Sequence, residues 1–231
     1  QHIYINKSLN KENLLQVDLV VEAIAEDEKI KGNLFKNLSE ITDDNTILAS
    51  NTSSISIQKM ADYTHCANRV IGMHFMNPVP IMKLVEIITT PATSNQTIQK
   101  IVDITVQLKK EPCIVKDYPG FIANRILMPM INEAILSVEA KIATVTTIDT
   151  ICKLGFSHPM GPLQLADFIG LDICSNILQI MEKDFNNVKY HPSKLLLNMI
   201  NKGYLGKKSG MGFYDYSQGF STLIENKNIL N

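Results

Sequence analysis

A chain of 231 residues, 45% of them hydrophobic, is long enough to bury a substantial core and falls between one large domain and two small ones. Its 22 basic residues against 23 acidic ones leave a net charge of -1, so no broad cationic field exists to hold nucleic-acid phosphates or anionic lipid, and neither partner is expected. Cys66, Cys113, Cys152 and Cys174 are scattered and form no CxxC, which argues against a zinc site or a disulfide framework and suits reduced thiols in a cytoplasmic setting.

From Asp18 to Lys116 short apolar runs alternate with amphipathic stretches, the pattern of an open α/β sheet. Strands are expected at Asp18–Ile24, Thr46–Ser50, Arg69–His74, Lys83–Thr89 and Pro112–Lys116, each rich in Val, Ile or Leu and bounded by polar or turn-forming residues. Between them, Ile30, Leu34, Leu38 and Ile41, and then Ile98, Ile101, Val102 and Leu108, recur at helical steps, with Ser94 or Asn95 as the cap of the second helix.

Past Asp117 the strand pattern stops. Helices are expected over Gly120–Glu139, kinked or restarted at Pro129, and over Thr147–Leu154, Gly161–Asp184 and Ser193–Lys202. A boundary at Tyr118–Pro119 divides the chain into an α/β domain, 1–117, and an all-α domain, 118–231; the tail from Ser217 carries no structural expectation. No apolar run is long enough to span a bilayer, and the N-terminus lacks the order of a signal peptide.

Several segments place polar groups at a strand end or just past the boundary, where open α/β sheets hold ligands. In Asn51-Thr52-Ser53-Ser54 the hydroxyls can donate to a substrate oxygen or a ribose, while spacing alone favours Ser53 or Ser54 as a cap for a helix starting near Ile55. His74 ends an apolar strand ahead of Asn77-Pro78 and has a side chain suited to take a proton near neutral pH, though a lone histidine is more often structural. Glu86 stands in the apolar strand Leu84-Val85-Glu86-Ile87-Ile88, where a buried carboxylate needs a partner. His74 would supply one; an exposed edge-strand position is the alternative. Asn124 opens the second domain, facing back across a cleft or lying as an ordinary helix-surface residue. Gly206-Lys207-Lys208-Ser209-Gly210-Met211-Gly212-Phe213-Tyr214 is a basic glycine-rich loop that could meet an anionic cofactor through Lys208, or simply a surface turn.

Together the blocks DLVVEAIAE, ILASNTSS, VIGMHFMNPVPIMKLVEII, DYPGFIANRILMPMINEA, HPMGPLQLADFIGLD and GKKSGMGFYDY resemble the short-chain L-3-hydroxyacyl-CoA dehydrogenases, in particular bacterial 3-hydroxybutyryl-CoA dehydrogenases. The resemblance implies a partial Rossmann-type parallel-sheet domain followed by a helical domain that forms a homodimer. It also implies reversible oxidation of a (3S)-3-hydroxyacyl-CoA with NAD, NADP being the alternative cofactor. His74 is implied as general base, Glu86 as its orienting partner, and Ser53 and Asn124 as substrate-binding donors to the reacting oxygen. Glu26, Lys31, Asn51, Asn77 and Lys208 are implied as cofactor contacts.

The first glycine is Gly32, so the G-x-G-x-x-G turn is not in the chain; on the family pattern it belongs upstream of Gln1 with the first strand and the acidic ribose-binding residue. The polypeptide by itself is therefore expected to bind NAD poorly and turn over slowly. A related hydroxyacid dehydrogenase and a non-catalytic dimerisation module are the competing readings.

Overall fold

The computed structural model describes residues 14, 17–219 and 223–230. Two compact units divide the chain, residues 1–121 and 122–231.

The first unit runs β1 (Leu19–Glu22), α1 (Glu28–Ile41), β2 (Ile47–Ser50), α2 (Ile57–Asp62), β3 (Val70–Phe75), β4 (Leu84–Thr89), α3 (Asn95–Gln107) and β5 (Glu111–Lys116). The strands form one sheet in the order β1-β2-β3-β4-β5. β1, β2 and β3 are parallel, as are β4 and β5, but β3 and β4 pair antiparallel. The sheet is thus parallel-dominated, with one exception that the sequence pattern did not reveal. Residues 76–83 are too few for a helical crossover, so β4 can only return beside β3 in the opposite direction.

β2 and β3 are buried almost throughout, which is why they read as unbroken apolar runs. Strand alternation sends Ile47, Ala49, Ile71, Met73, Val85 and Ile87 into one core, with Ile101 of α3. Leu48, Val70 and Ile88 go into the other, with Phe35, Leu38, Ile57, Met60 and Phe121. β5 is an edge strand and tolerates Pro112 there.

Local expectations are corrected at two points, and a choice between alternatives is decided at a third. Ile30 is exposed and Phe35 takes the buried place on α1. Ser94, and not Asn95, caps α3 by accepting from Thr97 N. The cap of α2 is Ser56, which accepts from Lys59 N, so neither Ser53 nor Ser54 serves there.

The second unit contains α4 (Ala123–Glu139), α5 (Val145–Gly155), α6 (Pro162–Ile169), α7 (Leu171–Phe185) and α8 (Lys194–Asn201), with a two-stranded antiparallel pair, β6 (Tyr214–Asp215) and β7 (Ile224–Glu225). α4 continues through Pro129. The single helix expected over Gly161–Asp184 is instead two, bent by 96°. Gly170 at their junction has φ +108°, which an L side chain rarely adopts. Among the described residues, no single helix is long and apolar enough to cross a membrane.

Two buried carboxylates organise this unit. Asp149 accepts from Leu163 N (2.8 Å) and Gln164 N (2.9 Å), capping α6 from outside, and from Tyr214 Oη (2.8 Å). Asp167 accepts from Phe213 N and Tyr214 N (both 2.9 Å) and Tyr216 Oη (3.1 Å). A Cβ at Gly212 would run into the Asp167 carboxylate, so the glycines of this stretch let backbone and carboxylate meet closely.

Burial raises the Asp167 pKa to about 7, outweighing the bonds from Phe213, Tyr214 and Tyr216, and the neighbouring Asp149 adds to the rise. A carboxyl whose folded pKa is raised holds its proton more tightly folded than unfolded. Its contribution to stability is therefore full below the ordinary carboxyl value of 3.8 and is lost as pH climbs towards 7. We expect urea unfolding followed from about pH 4 to about pH 7.5 to show a loss on the order of a few kcal/mol that Asp167→Asn removes. A variant with the same slope as the parent would show that Asp167 is not the titrating group.

Candidate active site

The antiparallel pairing of β3 with β4 sets His74 directly opposite Glu86. Facing side chains in such a ladder have Cβ atoms only about 5 Å apart, close enough for imidazole and carboxylate to meet. His74 Nδ1 lies 2.8 Å from Glu86 Oε2, with His74 5% and Glu86 2% exposed. The buried alternative wins over the exposed-edge one because β5 covers the other side of β4. An ionised carboxylate only accepts, so Nδ1 carries the proton and Nε2 is left as the basic nitrogen. Phe121 packs on the imidazole, ring centroids 5.6 Å apart. It is nearly fully buried and held at φ +49°, just after Gly120 at φ +75°, a left-handed turn that bulky residues seldom enter.

Beside this pair, the loop after β2 carries Asn51, Thr52, Ser53 and Ser54. Asn51 extends the ladder by donating N–H to Glu22 O (2.8 Å), and its Oδ1 accepts from Phe75 N (2.9 Å), tying the ends of β2 and β3 together. Glu26 Oε1 accepts from Thr52 Oγ1 (2.5 Å), Ser53 N (3.0 Å), Ser54 N (3.1 Å) and Ser54 Oγ (2.9 Å). Burial pushes the Glu26 pKa up, but the hydroxyls of Thr52 and Ser54, the Lys31 charge and the Ser53 N–H together hold it below the usual carboxylate value. The grip on the loop is therefore kept until pH falls through that lowered value.

Lys31 is 1% exposed on α1. Its ammonium donates to Glu22 Oε1 (2.6 Å) and Ile24 O (3.2 Å) and forms an ion pair with Glu26 Oε2 (3.3 Å). Glu22 in turn accepts from Ser50 Oγ (2.7 Å) and Ile24 N (2.5 Å).

Asn77 is exposed at the start of the turn after β3. In the second unit, Asn124 is buried in the first turn of α4, and Lys208 pairs with Asp172 (2.5 and 2.7 Å). Glu22, Asp117 and Phe121 were not singled out from the sequence. Glu22 had the signal that drew attention to Glu86, a carboxylate within an apolar strand. Among the described residues no cluster of three His, Cys, Asp or Glu could hold a metal ion.

Residues 2–118 match the family model for the 3-hydroxyacyl-CoA dehydrogenase NAD binding domain, and residues 120–216 match the model for the C-terminal domain of the same enzymes. A probable 3-hydroxybutyryl-CoA dehydrogenase of Bacillus subtilis is 49% identical over 214 residues, covering 93% of this chain and 75% of the relative. The human mitochondrial hydroxyacyl-coenzyme A dehydrogenase is 47% identical over 200 residues, 86% of this chain and 64% of that protein. Among solved structures, the (S)-3-hydroxybutyryl-CoA dehydrogenase of Ralstonia eutropha superposes with a TM-score of 0.87 at 46% identity, covering 91% of this chain and 74% of that one.

Proposed function

The chain belongs to the 3-hydroxyacyl-CoA dehydrogenase family, and from that premise we propose that it interconverts a (3S)-3-hydroxyacyl-CoA, of short chain as in 3-hydroxybutyryl-CoA, and the 3-oxoacyl-CoA, using NAD. The observation that carries the proposal is the buried His74–Glu86 pair at 2.8 Å. In the oxidative direction His74 Nε2 takes the C3 hydroxyl proton, and the Glu86 carboxylate stabilises the imidazolium that results. On the family pattern, Ser53 and Asn124 are assigned as hydrogen-bond donors to the C3 oxygen, where negative charge develops. NAD, when bound, supplies the acceptor for the C3 hydride.

Glu26, Asn51 and Asn77 gather near the C-terminal ends of β1, β2 and β3, the edge at which open α/β sheets take ligands. A carboxylate and two carboxamides fit the ribose hydroxyls and carboxamide of such a cofactor. We assign Glu26, Lys31, Asn51, Asn77 and Lys208 to the cofactor side on the family pattern. Residues 1–117 are assigned to the cofactor-binding and catalytic domain and 118–231 to the substrate and dimerisation domain. Homodimerisation through the helical unit is supported by α5 and the turn after it, where Ile151, Leu154 and Phe156 are exposed, Leu154 at 81%. The four free cysteines support a reducing, cytoplasmic setting.

The test is acetoacetyl-CoA-dependent oxidation of NADH by this chain and by a version joined to a family-type N-terminal nucleotide-binding segment, with variants compared in the version that turns over. Ser53→Ala is expected to lower kcat about 100-fold with the KM for NADH little changed, the usual cost of one lost donor to a developing oxyanion. Turnover of a small hydroxyacid in place of any acyl-CoA would overturn the substrate assignment.

A further inference from the structure

The loop that presents Ser53 is held from both ends by carboxylates. Glu26 grips Thr52, Ser53 and Ser54 at its beginning. At its end, Asp117 Oδ2 accepts from Ser56 Oγ (2.6 Å) and Gln58 N (2.8 Å). Asp117 is well placed for this duty, because it follows β5 directly and its own N–H donates to Thr89 O (2.9 Å), fixing it to the end of the sheet. Its other oxygen, Oδ1, is buried without a hydrogen-bond partner. An unpaired buried carboxylate oxygen is destabilising, so the group is kept in place for the oxygen that holds the loop.

We infer that Asp117 is a positioning residue for the reaction, fixing with Glu26 the loop from which Ser53 addresses the substrate oxygen. This rests on the assignment of Ser53 made above. Without Asp117 the far end of the loop, at Ser56 and Gln58, would lose its tie to the end of the sheet, and Ser53 would shift. A displacement of about 1 Å from the productive geometry can cost on the order of 100-fold in rate.

A double-mutant cycle in the version that turns over, with the family-type N-terminal segment joined, tests the inference. Asp117→Ala is expected to lower kcat about tenfold while the KM for NADH stays within about twofold, and Asp117→Asn, which keeps an acceptor oxygen, to restore most of the rate. Combined with Ser53→Ala, the Asp117→Ala change should lower kcat by less than about twofold more, because the group being positioned is gone. An equal loss in both backgrounds would mean general structural damage, and a raised KM for NADH at unchanged kcat would mean a cofactor role; either overturns the inference. If Asp117→Ala does not fold, by its thermal transition, the cycle is run with Asp117→Asn, whose smaller loss must vanish in the Ser53→Ala background. If Ser53→Ala alone leaves kcat intact, the donor assignment fails and the inference falls with it.

Discussion

His74→Ala should lower kcat about 1,000-fold or more, with the KM for acyl-CoA changed only a few-fold, because a general base acts in the transition state and not in binding. Glu86→Gln should cost less, about 100-fold. The glutamine can still accept from Nδ1, so the tautomer survives, but the negative charge that stabilises the imidazolium is gone. The two changes together should lose little more than His74→Ala alone, since Glu86 has nothing to act on once the imidazole is removed. Initial rates of NADH oxidation on the four proteins decide the matter. A His74→Ala enzyme within tenfold of the parent would remove His74 from the chemistry.

The second large effect concerns folding. Lys31→Met is expected to destabilise the chain by about 3–5 kcal/mol, because it strips the counter-ion from Glu22, whose side chain is fully shielded from solvent. Adding Glu22→Gln should recover most of that loss, since the neutral amide leaves no buried charge alone, its one oxygen still accepts from Ile24 N, and its NH2 can donate to Ser50 Oγ, whose hydroxyl then accepts. Urea unfolding of the single and double variants measures both. A loss below about 1 kcal/mol for Lys31→Met would show that water reaches the pair.

Much of this was legible in the sequence, for reasons that also explain the remainder. The strands of the first unit were visible because β2 and β3 are buried on both faces, so their residues are apolar without interruption. His74 and Glu86 stood out because each is a polar group in such a run. The direction of β4 was not visible: apolar alternation is the same for a strand read either way, and only the brevity of residues 76–83 carried the information. Ser56 as the cap of α2 was missed because Ser53, Ser54 and Ser56 are equivalent by composition, and Glu26 draws the first two away. The break at Gly170 was hidden because apolar residues continue on both sides of it. The loop from Gly206 looked like a free basic turn. Its glycine at 212 instead answers to Asp167, some forty residues earlier in the chain, and no local window contains both.

The antiparallel register of β3 and β4 bears on how such an enzyme can diversify. The distance between His74 and Glu86 is set by the ladder, not by the segment Met76–Lys83 that joins the two strands. That segment can change in composition, provided it stays too short for a crossover, while the facing of His74 and Glu86 is inherited from the sheet. Slippage of β4 by one residue is guarded against independently, because it would turn Val85 and Ile87 out of one core and Ile88 out of the other. The facing of imidazole and carboxylate is therefore a property of the sheet and not of the connection that joins the two strands.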